Sequence, residues 1–150
     1  MCELLKKLSW KKILLGAFIF SVISMVCYEL EPLFTSYWYM LPEYYPVWSK
    51  IMMPTAGPPP ASFLVIDYIV TLITGIFITS YYSLTSPLYG NKFWSKVCGF
   101  TVMTSVLEFS LFTLVVFLLL NVPIVLLCSW FISNVIIFFL SGMVFAKLKI

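Results

Sequence analysis

Residues 97–120 read VCGFTVMTSVLEFSLFTLVVFLLL, a run whose only charge, Glu108, falls near its middle. About 20 consecutive apolar residues in a helix cross the ~30 Å hydrocarbon core of a bilayer, so this stretch is expected to span a membrane. A carboxyl at that depth costs about 2.5–3.5 kcal/mol to insert, so it calls for a packing partner or a functional reason.

Outward from this run the chain repeats the pattern. Of its 150 residues 62% are hydrophobic and 10% charged, too little polar surface to close a water-soluble globule. Downstream, Asn121 and Pro123 punctuate a tight turn into a second run over 122–146, and upstream lie runs over 61–82 and 13–28. The expectation is an all-α four-transmembrane-helix bundle in a single domain, 1–150, with spans at about 13–28, 61–82, 97–120 and 122–146 and an outer loop over 29–60. Span 1 is entered from Lys6, Lys7, Lys11 and Lys12 and left at Glu29, Glu31 and Pro32. It is short for a crossing, but snorkelling lysines lengthen it. It is read as a retained span, since Val26-Cys27-Tyr28-Glu29 lacks the small-x-small pattern of a signal cleavage site.

Lysines assign the sides. The N-terminus, the segment with Lys92 and Lys96, and the tail with Lys147 and Lys149 are expected on the cytoplasmic face of a cell membrane, giving a multi-pass protein with both termini cytoplasmic. The chain contains no Arg and no His, which removes imidazole metal and haem ligands, the histidine proton switch and the guanidinium clamp. No nucleophile and base pair, phosphate loop, cofactor ligand set or nucleic-acid surface is visible, so a non-catalytic protein without cofactor is expected. The net charge of +3 comes from lysines that flank spans, where they touch lipid headgroups. The cysteines stand at positions 2, 27, 98 and 128 with no C-x-x-C, against a dithiol oxidoreductase. Cys27 and Cys128 both fall near outer span ends and are placed for a disulfide if spans 1 and 4 touch; otherwise a membrane Cys is a small hydrophobe.

The outer connection is aromatic. Tyr37, Trp38, Tyr39, Tyr44, Tyr45 and Trp48 crowd together and are followed by Gly57-Pro58-Pro59-Pro60. Tyr and Trp favour the headgroup level, and the proline run stiffens the chain, so the loop reads as an aromatic belt with a rigid connector or as a docking surface for a partner. A weak repeat is present as well. Asp67 precedes Gly75, and Asn134 precedes Gly142, by the same eight residues, while Trp10-Lys11-Lys12 with Gly16 answers Trp94-Ser95-Lys96 with Gly99. Two repeated helical hairpins related by an axis along the membrane normal would produce this.

The layout of Lys-Lys before an apolar helix with an early Gly, a Met/Pro-containing outer loop, a helix with a late Gly, a basic turn and a closing hairpin ending in Gly and Lys resembles that of small uncharacterised prokaryotic four-span membrane proteins. The resemblance implies the four-span architecture and no particular activity. Bulky Phe, Leu and Ile stand here where such proteins carry small residues.

Polar residues within the spans fall into stripes at helical spacing: Ser21, Ser24 and Tyr28; Asp67, Thr71 and Thr74; Thr101, Thr104, Ser105 and Glu108; Asn134 and Ser141. Such stripes face a bundle interior, where small hydroxyls let helices approach and hydrogen-bond. Glu108 and Asn134 share a depth across the tight hairpin and are expected to meet through an amide-to-carboxyl hydrogen bond, with Thr101, Thr104 and Ser105 lining the route from Glu108 toward the cytoplasm. Asp67 lies about 7–8 Å outward of its span's centre by helical rise. The sequence therefore favours an accessory or interaction subunit or a homo-oligomeric membrane protein, partnered by the bilayer and by its own copies or a larger membrane complex. The alternative is a small proton-coupled or cation-selective transporter or channel using Glu108 and Asp67.

Overall fold

A computed structural model of the chain describes residues 9–46 and 61–150; Trp48 and the proline run at 58–60 lie outside them. It holds four helices long and apolar enough to cross a membrane: α1 (Trp10–Tyr39), α2 (Ala61–Thr85, continued by a 3-10 turn, Ser86–Tyr89), α3 (Phe93–Leu119) and α4 (Ile124–Leu148). Among the described residues there is no strand, and the protein is an all-α, four-helix, multi-pass membrane bundle.

The largest departure from the sequence reading is the end of span 1. Glu29, Glu31 and Pro32 look like an exit at residue 28, yet α1 runs on unbroken to Tyr39 with Pro32 inside it. Pro32 removes only the hydrogen bond that its nitrogen would give the Tyr28 carbonyl. One turn later the Thr35 hydroxyl donates to the Glu31 carbonyl at 3.0 Å and to the Glu31 carboxyl at 2.7 Å, so the acid is satisfied inside the helix. Tyr37, Trp38 and Tyr39 consequently form the last turn of α1 and do not belong to the outer loop. Tyr44 and Tyr45 follow in a tight turn, their N–H groups donating to the Leu41 carbonyl at 3.0 and 2.9 Å.

In cross-section α1 packs between α2 and α4, and α4 packs against α3. The hairpins α1–α2 and α3–α4 each pair, as a repeat would have them. A twofold exchanging them would also make the α2–α3 contact a copy of the α1–α4 contact, and it is not. Helices α2 and α3 meet only toward one end, where Tyr81 and Tyr82 reach Phe100 and Tyr89 covers Gly99. The described lysines, Lys11, Lys12, Lys92, Lys96, Lys147 and Lys149, collect at this same end, which we call the lysine end. There Lys12 Nζ donates to the Lys149 carbonyl at 2.6 Å, tying the first helix to the last.

The core sits in the lysine half. Phe20, Tyr82, Phe100, Ile137, Phe138 and Phe145 form one buried cluster, with ring centroids of Tyr82 and Phe100 at 5.2 Å, Tyr82 and Phe145 at 5.3 Å, and Phe100 and Phe145 at 6.0 Å. Edge-on and tilted ring pairs at such separations contribute about 0.5–1.5 kcal/mol beyond area burial. Gly75 makes the α1–α2 approach possible, since a Cβ there would stand 2.7 Å from the Ala17 carbonyl oxygen. Away from this cluster the helices present apolar side chains outward, as lipid contact requires: Leu33, Phe34, Phe77, Leu111 and Leu119 are among the most exposed.

Candidate functional site

At the opposite, loop end, where α2 and α3 no longer touch, the four helices surround a cavity of about 710 Å³. Helical spacing delivers its lining. Tyr28 and Glu31 stand at i, i+3 on α1, Phe63 and Asp67 at i, i+4 on α2, Glu108 and Phe112 at i, i+4 on α3, and Trp130 and Asn134 at i, i+4 on α4. Three carboxyl groups thus border one hollow, at a depth from mid-bundle to the end of α1.

Glu108 occupies its middle. Asn134 Nδ2 donates to Glu108 Oε1 at 3.2 Å, the contact expected from their shared depth, and Tyr28 Oη donates to Asn134 Oδ1 at 2.9 Å, extending the chain of bonds to α1. Thr113 Oγ1 also donates to Glu108 Oε1, at 2.9 Å. That last pair is five residues apart, which a regular α-helix places on different faces. It forms because 109–113 (FSLFT) is a π-helical turn, whose i to i+5 pattern is seen in the Leu114 N–H bonded to the Phe109 carbonyl. π-helical turns inside α-helices occur frequently at functional sites. The second carboxyl oxygen, Glu108 Oε2, is buried and has no hydrogen-bond partner among the described residues.

Glu31 is arranged differently. Its Oε1 accepts from the Thr35 and Ser129 hydroxyls, and its Oε2 accepts from Tyr39 Oη at 3.0 Å. Trp130 Nε1 in turn donates to Tyr39 Oη, and the two rings lie 6.3 Å apart. The end of α1 is thereby fastened to the first turns of α4. Asp67, on the facing wall, is half-buried and makes no hydrogen bond among the described residues. No described lysine lies at this end of the bundle.

The expected roles shift accordingly. Thr101, Thr104 and Ser105 do not border the cavity that holds Glu108, and the Thr101 and Thr104 hydroxyls donate back to the Val97 and Phe100 carbonyls at 2.8 and 2.7 Å. Thr101 and Ser105 border a separate, shallower groove of about 310 Å³ with Phe109 and Phe131. The π-turn changes the register of α3 just past Glu108, so Thr113 is the hydroxyl that meets the acid. Of the aromatic residues assigned to an outer loop, Tyr39 turns into the cavity while Tyr37 stays exposed, its ring 5.5 Å from that of Trp38. Spans 1 and 4 do pack together, yet Cys27 and Cys128 are both free thiols.

Glu31, Thr113, Ser129 and Trp130 escaped the sequence reading. Glu31 had a signal: the stripe Ser21, Ser24, Tyr28 continues at steps of three and four through Glu31, Thr35 and Tyr39, which is one helix face carried past the proline. Among the described residues no three His, Cys, Asp or Glu side chains are grouped to hold a metal ion. Comparison with protein-family models, with curated proteins and with solved structures found no match.

Proposed function

We propose that the chain is a small membrane carrier that binds a cation in the loop-end cavity, with Glu108 and Asp67 as its charged contacts. The observation that carries the reading is the set of three carboxyl groups around one hollow at an end of the bundle where no lysine is described. Intramembrane acids are costly, and where they face a bundle interior they mark ion or substrate sites. The cavity lies in the loop half of the bundle. The lysine half is filled by the buried rings of Tyr82, Phe100 and Phe145, which suits a carrier that must rearrange better than a continuous pore. Glu108 Oε2, without a hydrogen-bond partner among the described residues, accepts a proton or contacts a cation but does not do both at once, and that exclusion couples the two fluxes.

The test is reconstitution of the full chain into liposomes holding a pH-sensitive dye, with proton movement followed as an external cation is added. Glu108→Gln is expected to abolish the coupled movement and Asp67→Asn to reduce it, with both variants eluting like the parent in mild detergent. Undiminished coupling in Glu108→Gln would remove the proposal.

A second reading, an accessory subunit or homo-oligomer, draws support from the gap between α2 and α3 at the loop end, which a helix of another chain would close. Under it, Glu108→Gln leaves assembly and function intact, and a stoichiometric partner accompanies the protein through purification.

A further inference from the structure

We infer that the ligand of the loop-end cavity is a protonated organic amine with an apolar body and not an inorganic cation, a step that rests on the cation-site reading above. Size is the first argument. A cavity of about 710 Å³ falls within the range of pockets for drug-sized molecules and far exceeds a bare metal ion. The second is ligand geometry: hard cations demand six or more oxygens closing on one point, and no three acids among the described residues are grouped in that way.

Wall chemistry then selects the class. Between the acids stand Tyr28, Phe63, Phe112 and Trp130. Aromatic faces attract a cation within about 6 Å of the ring and also accept apolar carbon, so they suit a molecule carrying both. The acids divide the work. Glu31 already receives the hydroxyls of Thr35, Ser129 and Tyr39 and supplies a fixed wall. Glu108, which borders the cavity, has one buried oxygen with no hydrogen-bond partner among the described residues, and Asp67 has none either. An ammonium presents up to three donors, which suits a hollow bordered by more than one acid, while its apolar body lies against the rings.

Equilibrium binding of 2-phenylethylamine to the full chain in phosphatidylcholine nanodiscs, read by calorimetry, tests this. One saturable site is expected, weakened tenfold or more by Glu108→Gln, insensitive to Na⁺ and Mn²⁺, and not competed by 2-phenylethanol, which has the same body without the charge. Gln keeps the oxygen that Thr113 and Asn134 bond, so the fold is retained. Asp67→Asn, on the opposite wall and bonded to nothing described, gives an independent reading and is expected to weaken binding severalfold. If Na⁺ or Mn²⁺ binds in a Glu108-dependent way and the amine does not, the ligand class is wrong while the cation site stands. If neither the amine nor the ions bind in a Glu108-dependent way, both are wrong.

Discussion

The two ends of this bundle are made from the same four helices and the same apolar alphabet, yet one is filled and the other hollow. At the lysine end Tyr82, Phe100 and Phe145 meet ring to ring, and Gly75 lets α1 and α2 close on each other. At the loop end the rings of Tyr28, Phe63, Phe112 and Trp130 face a cavity, and the contacts between helices are hydrogen bonds around Glu31 and Glu108. In a bilayer, where lipid tails are as apolar as Leu, helices associate through close packing and directed polar contacts. The filled end uses the first and the hollow end the second. Stability should therefore reside mainly at one end, and ligand handling at the other.

Substitutions can pull that division apart. The largest loss is expected from Phe100→Ala, which empties the centre of the ring cluster; large-to-small core changes of this kind cost about 3–5 kcal/mol, read as a lower unfolding midpoint in denaturing mixed micelles. Gly75→Val should come next at about 1–3 kcal/mol, because its first carbon meets the Ala17 backbone and α1 must move away from α2. At the hollow end, Asn134→Leu removes two interhelical bonds. Membrane hydrogen bonds average about 0.6 kcal/mol, so a loss of about 1 kcal/mol in stability is expected, accompanied by weaker amine binding. Phe77→Leu, on an outward-facing position that is 70% exposed, should stay within about 0.5 kcal/mol of the parent and bind normally. A stability loss from Asn134→Leu as large as that from Phe100→Ala would erase the distinction between the ends.

The four-span architecture was legible because hydrocarbon thickness demands long apolar runs, and 61–82, 97–120 and 122–146 supply them almost unbroken. Glu108 and Asn134 were legible too, since a tight hairpin fixes their common depth. The end of span 1 was not. Two glutamates and a proline normally mark an exit, and the hydroxyls of Thr35, of Tyr39 eight residues on and of Ser129 on α4 explain why Glu31 stays within the bundle. The π-turn left no trace either, for 109–113 contains neither Gly nor Pro, and its effect is to bring Thr113 to Glu108 in place of the hydroxyls one turn before. Which helices become neighbours is set by side-chain shape, so the separation of α2 from α3 that opens the cavity could not be read from periodicity.

The measurement that tests the division most directly is the thermal unfolding midpoint of the parent and of Glu108→Gln in nanodiscs, each with and without 2-phenylethylamine. A ligand that binds only the folded state at 100 times its dissociation constant stabilises it by about 2.7 kcal/mol. The midpoints without ligand should coincide, and the amine should raise that of the parent alone. Equal shifts in both proteins, or a Glu108→Gln midpoint as low without ligand as that of Phe100→Ala, would contradict the account.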